Sequence, residues 1–124
     1  MSPRSKEFMA SAHERIRAAH AALSAGFPSV AVSAAYYAML YAARAALSEE
    51  DRYAKTHRGA WSLFGELFVS AGRFDSGLFA AARRIQELRE AADYDAREIS
   101  SEQARPIVDD AESFVARVVT MFED

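Results

Sequence analysis

Between Val30 and Leu47 the chain reads VAVSAAYYAMLYAARAAL. Only Ser33 and Arg44 fall outside Ala, aliphatic, Met and Tyr, and there is no Gly or Pro. Alanine supplies high helix propensity throughout, so the spacing predicts one helix of about 18 residues, roughly 27 Å long at 1.5 Å per residue. Tyr36, Leu40, Ala43 and Leu47 fall on one face, and Tyr37, Tyr41 and Arg44 on the neighbouring one. A helix that is apolar nearly all the way round belongs in the middle of a bundle, covered by several others. Its tyrosines bring hydroxyls that need partners once buried. Its longest nearly uncharged stretch, Val30 to Ala43, is shorter than the roughly 20 residues of a membrane crossing, so no membrane role is expected.

The rest of the chain must supply that cover. At 124 residues it is one domain, 1–124, and with 51% hydrophobic and 27% charged residues it has the composition of an ordinary globular protein. It has no cysteine, which excludes disulfides, thiolate metal sites and a thiol nucleophile. MSPRSKEF has no apolar run that would act as a signal peptide, so the expected location is cytoplasmic. The net charge of −3 gives no bulk attraction to nucleic acid, and any such contact depends on a local patch. Thirteen of the fifteen basic residues are Arg, which suits bidentate phosphate contacts, although coding bias is the favoured reading because it also explains the heavy Ala use.

A first helix over about Ser5 to Ser24 carries a stripe of Met9, His13, Ile16, His20 and Leu23, in which the histidines are expected to pack, and Gly26 with Pro28 turns the chain into the central helix. SEEDRYAK has no periodicity and reads as a loop. Thr56 caps a third helix with a face of His57, Trp61, Phe64 and Phe68, stopped by Gly72. Asp75 or Ser76 caps a fourth, with Leu78, Ala82, Ile85 and Leu88. For the last helix, Ser100 with Gln103 resembles a capping box, yet Pro106 would then lie inside the helix. The main body is therefore expected from Pro106 as a first-turn proline, with a stripe of Ile107, Ala111, Phe114 and Val118. No strand signal or repeat is present, and the fold class is all-α, a five-helix up-and-down bundle.

Three strings in order, AYYAMLYAARAAL, KTH at Lys55 to His57 and LREAADYD at Leu88 to Asp95, resemble a bacterial and archaeal subfamily of HEPN domains. The resemblance implies a helical bundle, a homodimer, and frequent pairing with a small nucleotidyltransferase in systems resembling toxin and antitoxin modules. It also implies RNA or nucleotide as the ligand. Toxin-type members cleave RNA without a metal, using an Arg followed after four to six residues by His. A neutral imidazole can take the proton of an attacking 2′-hydroxyl, and a guanidinium can hold the phosphate. The corresponding place here is Arg89, Asp93 and Tyr94, with Asp where the His is expected. A carboxylate with an ordinary pKa near 4 is a poor base for a hydroxyl and repels phosphate. Tyr94 would be a stacking platform or the tyrosine that the partner enzyme modifies. Arg15 with His20 and Arg52 with His57 fit the same spacing by chance.

Arg89, Asp93 and Tyr94 are thus the candidate catalytic group, and Lys55, His57 and Arg44 a candidate anion-binding cluster, because a helix start offers free N–H groups beside basic side chains. Each has a plainer reading. Arg89 and Asp93 are one turn apart and could pair on the surface for a few tenths of a kcal/mol. Pressed against Tyr36 or Tyr37, they would form a packing network between helices two and four. His57 could equally belong to a capping segment that hydrogen-bonds across the bundle. No metal-ligand spacing or phosphate loop occurs and no cofactor is expected. The competing function is a non-catalytic helical module that binds a protein partner.

Overall fold

The structure, a computed structural model, describes the backbone of residues 1–95 and 98–123, and the side chains of these except at 92–95. Among the described residues it has five α-helices: α1 (Pro3–Ser24), α2 (Pro28–Glu49), α3 (His57–Phe64), α4 (Ser76–Asp95) and α5 (Ser101–Met121). A π-helical turn, Gly65–Val69, continues α3, and no strand occurs among the described residues. This is the all-α bundle that the HEPN resemblance implies, with α1, α3, α4 and α5 all packed on α2.

The central helix is longer than its apolar run suggests. Proline at the first helical position loses only an N–H that would be unpaired anyway, so α2 starts at Pro28. With 22 residues and mean hydropathy 1.3, α2 is, by length and composition, long and apolar enough to cross a membrane, contrary to the expectation from Val30 to Ala43 alone. However, 67% of its apolar window is buried inside the bundle. Tyr36, Met39, Leu40 and Leu47 are enclosed, while Tyr37, Tyr41 and Arg44 are half-buried along one strip and Val30 is exposed.

Two expectations are corrected. The buried stripe of α1 is Ser5, Met9, Ala12, Ile16 and Ala19, so His13 and His20 are exposed and do not pack in the core. The small residues Ala12 and Ala19 let α1 lie close to the alanine-rich side of α2, where an imidazole would not fit, and His20 Nε2 instead meets Glu112 at 2.9 Å. At the other end, α5 begins at Ser101. Ser100 Oγ accepts from the Gln103 N–H at 3.1 Å, and Gln103 Oε1 accepts from the Ser100 N–H at 2.9 Å. This reciprocal cap satisfies two N–H groups and holds the helix start, although Pro106 then sits inside α5.

Asp75 Oδ1 accepts from the Leu78 N–H at 2.9 Å, making Asp75 the cap of α4. Between α3, α4 and α5 an aromatic cluster closes the far end of the core. Phe64 lies 4.9 Å from Phe74 and 5.5 Å from Phe114, and Trp61 is 5.7 Å from Phe114, between ring centroids. This cluster fixes α3 against α2 and so sets the position of the first residue of α3, His57.

Candidate functional site

Thr56 Oγ1 accepts from the Gly59 N–H at 2.9 Å, which places His57 at the first helical position of α3. From there the imidazole lies against the paired tyrosines of α2, its ring centroid 5.8 Å from both Tyr36 and Tyr37. Its Nδ1 is 3.1 Å from Tyr36 Oη. One helical turn on, Trp61 Nε1 donates to the same Oη at 3.3 Å. Tyr36 and Trp61 are fully buried, so each polar atom there needs a partner.

That requirement assigns the tautomer. Tyr36 Oη already accepts from Trp61, and among the described residues Nδ1 of His57 is the acceptor within reach of its hydroxyl hydrogen. With Tyr36 donating to Nδ1, the imidazole proton resides on Nε2. Nε2 has no partner among the described residues and His57 is half-buried, so this N–H remains available to a ligand. Burial, and then the charges of Arg44 and Arg89, hold the His57 pKa below its ordinary 6.5, with Glu90 opposing weakly. The ring is therefore neutral at pH 7 and offers a donor rather than a proton acceptor.

Arg89 reaches this group from α4. Its Nη2 donates to Tyr37 Oη at 3.1 Å, and its guanidinium carbon lies 5.2 Å and 5.0 Å from the ring centroids of Tyr36 and Tyr37. Burial raises the Tyr36 pKa, against the lowering effects of the Trp61 hydrogen bond and the Arg89 charge. Arg44, two turns along α2 from Tyr37, donates from Nη1 to the Ala54 carbonyl at 3.0 Å and keeps its other N–H donors for further partners. The two clusters that the sequence kept apart, Arg89 with the tyrosines and Arg44 with His57, thus converge on one imidazole. Lys55 is exposed and makes no hydrogen bond or ion pair among the described residues. Asp93 and Tyr94 belong to α4, but their side chains lie outside the described residues.

A groove of about 270 Å³ runs over the cluster, with Arg4, Tyr37, Tyr41, Arg44, Tyr53 and His57 in its walls. Beyond Tyr37 it is followed by a larger one of about 530 Å³, bordered by Arg15, Ser33 and Val30. Of the α1 arginines, Arg4 was not named from sequence and Arg15 only for its chance spacing to His20. Arg4 and Arg15 are eleven residues apart, three helical turns, so they share the α1 face that borders α2. Arg15 lies 5.5 Å from the Tyr41 ring and Arg4 5.2 Å from the Tyr53 ring. No group of three or more His, Asp or Glu able to hold a metal ion occurs among the described residues. The arrangement can bind an anion flanked by flat apolar groups: donors from a neutral imidazole and a guanidinium, further arginine charge, and tyrosine faces.

Residues 5–121 match the HEPN domain family, and the chain belongs to it. It is similar to a UPF0332 protein of Gloeobacter violaceus, 34% identical over 94 residues that make up 76% of this chain and 75% of the relative. A UPF0332 protein of Archaeoglobus fulgidus is 41% identical over 86 residues, 68% of each chain. "Putative toxin MJ0605" of Methanocaldococcus jannaschii is 34% identical over 88 residues, 71% of this chain and 66% of that protein.

Proposed function

We propose that this chain is the toxin-type component of a two-component cytoplasmic system and that its groove binds the phosphodiester backbone of RNA. The observation that carries the reading is the His57 imidazole, its Nδ1 taken by Tyr36 and its Nε2 without a partner among the described residues, in a groove that Arg4 and Arg44 also line. Hydrogen bonds from charged donors to phosphate are the stronger kind, and a neutral imidazole adds a donor without the cost of desolvating another charge. Arg89 acts from behind, holding Tyr37 and adding positive potential.

Binding, rather than self-sufficient cleavage, is what these side chains support. Attack of a 2′-hydroxyl on phosphorus needs a base to take its proton while the 5′-oxygen leaves, and His57 has its acceptor nitrogen occupied by Tyr36. By the family resemblance, Asp93 stands where toxin-type members carry the histidine. The pairing with a small nucleotidyltransferase and the homodimer rest on the family resemblance, with Tyr94 as the tyrosine open to modification. The interaction-module reading is favoured by one feature, the exposed Phe27 and Val30 at the α1–α2 turn.

The test is fluorescence anisotropy of a labelled single-stranded oligoribonucleotide in EDTA. The wild-type chain is expected to bind it intact, and Arg44→Ala to lose roughly tenfold or more in affinity. Absence of binding, or binding indifferent to Arg44→Ala, overturns the reading in favour of a protein-interaction module. Metal-free cleavage abolished by Arg89→Ala would instead establish a nuclease. Mass spectrometry after incubation with a neighbouring nucleotidyltransferase and ATP checks the pairing, for which an unmodified Tyr94 is the negative result.

A further inference from the structure

Tyr53 is the aromatic residue of the 50–56 connection, and its side chain is 57% exposed. Exposed tyrosines on loops are common, but this one is held in place. The loop is anchored before it by the Arg52 N–H donating to the Leu47 carbonyl at 2.9 Å and after it by Arg44 donating to the Ala54 carbonyl at 3.0 Å. The guanidiniums of Arg4 and Arg44 lie over its ring, 5.2 Å and 5.7 Å from the centroid, and the residue still keeps more than half of its surface open. Tyr53 and Arg4 also border a third groove, of about 460 Å³, with Ser48, Asp51 and Arg52. The ring therefore contributes to the walls of both grooves.

A flat ring fixed beside guanidiniums, in a wall shared by two grooves, has the features of a stacking platform for a flat, electron-rich ligand. The phosphate-binding reading above supplies the ligand class, because a strand whose phosphate meets Arg44 and His57 brings a base to the adjoining wall. We propose that Tyr53, flanked by Arg4 and Arg44, is a base-stacking subsite that selects single-stranded over duplex RNA. The inference rests on the RNA-binding reading. Bases in a duplex are already stacked on each other and cannot lie on the ring, whereas an unpaired base can, whatever its identity.

The experiment uses the full chain and a single-stranded oligoribonucleotide carrying 2-aminopurine, with the matching duplex as comparison. Tyr53→Ala is expected to weaken single-strand binding by roughly five- to a hundredfold, the range for losing one stacked base. Tyr53→Phe and Tyr53→Trp should bind within about twofold of wild type, since the ring and not the hydroxyl stacks. In the Tyr53→Trp variant, quenching of the introduced indole by bound strand reads the contact directly, against a background from the buried Trp61. Single-strand binding that depends on Arg44 but is unchanged by Tyr53→Ala overturns the subsite and leaves the phosphate site standing. Equal affinity for the duplex, or an equal loss in Tyr53→Phe and Tyr53→Ala, also overturns the subsite alone. Absence of single-strand binding by the wild-type chain overturns both.

Discussion

His57 is the residue on which stability and ligand binding pull in opposite directions. Its folded-state pKa lies below 6.5, first through burial and then through Arg44 and Arg89, so in the window beneath 6.5 the unfolded chain binds more protons than the folded one. The stability it contributes is therefore present above 6.5 and is lost as pH falls through the folded value. A proton added there would also make the site more attractive to phosphate. We expect RNA affinity to rise, and the difference in melting temperature between wild type and His57→Gln to shrink, as pH is lowered from 7 to 5. An NMR titration placing the imidazole at or above 6.5 would refute the first premise. Tyr36→Phe tests the network around it: the buried Trp61 N–H loses its partner, which costs about 1–3 kcal/mol in urea denaturation. From sequence, the tyrosine spacing and the KTH string marked these residues, but a hydrogen bond between Tyr36 and His57, 21 positions apart, has no local signature.

Among the elements, α3 and its π-helical extension show how one glycine sets a helix position. The Ser70 N–H donates to the Gly65 carbonyl at 2.9 Å, five residues back, and a Cβ on Gly65 would stand 2.9 Å from Phe79 Cζ. In an open helix, Gly to Ala is worth about 1 kcal/mol of stabilisation. Here the Phe79 ring is stacked on Phe64 at 6.0 Å, so it yields only by disturbing the aromatic cluster. Gly65→Ala is therefore expected to destabilise by about 1–3 kcal/mol, and a stabilised variant would show that the ring moves freely. The start of α5 gives a pair of opposite signs. Ser100→Ala should cost about 1 kcal/mol, whereas Pro106→Ala should stabilise, because the exposed proline removes a helix hydrogen bond that alanine restores. Circular dichroism melts of the two variants check both signs. The rule against proline inside a helix pointed to Pro106 as the start of α5, yet two reciprocal cap bonds outweighed it. Likewise, histidines at apolar spacing on α1 suggested a stripe that Ala12 and Ala19 occupy instead, because close helix approach selects for small side chains and not only for period. Helix number and order followed from periodicity and turn residues. The side partners of each stripe depended on side-chain size, which periodicity does not encode.

Across the whole molecule, the chain carries net −3 while its groove gathers arginines from three segments that are distant in sequence: Arg4, Arg44 and, behind the tyrosines, Arg89. Composition argued against nucleic acid in bulk, and only the packing of α1 beside α2 and α4 creates the local patch. This is why the central helix was readable from its letters and the patch was not: arginines 40 or more positions apart become neighbours only through tertiary packing. Opposing global and local charge makes a quantitative prediction. Beyond a Debye length of about 10 Å at 0.1 M salt, an approaching strand experiences mainly repulsion, so binding depends on close contacts with a few phosphates. For a single strand the logarithm of affinity falls with the logarithm of salt concentration by about 0.7 per phosphate engaged, so the two arginines that line the groove, Arg4 and Arg44, give a slope of about −1.4. Arg44→Ala should reduce that slope by roughly 0.7, whereas Tyr53→Ala should lower affinity at every salt concentration and leave the slope unchanged, since stacking releases no counterions. Anisotropy titrations from 50 to 200 mM salt distinguish the two. A wild-type slope near zero would mean that phosphate is not what the groove holds, and a slope well beyond about −1.4 would place the strand on a wider basic surface than this groove.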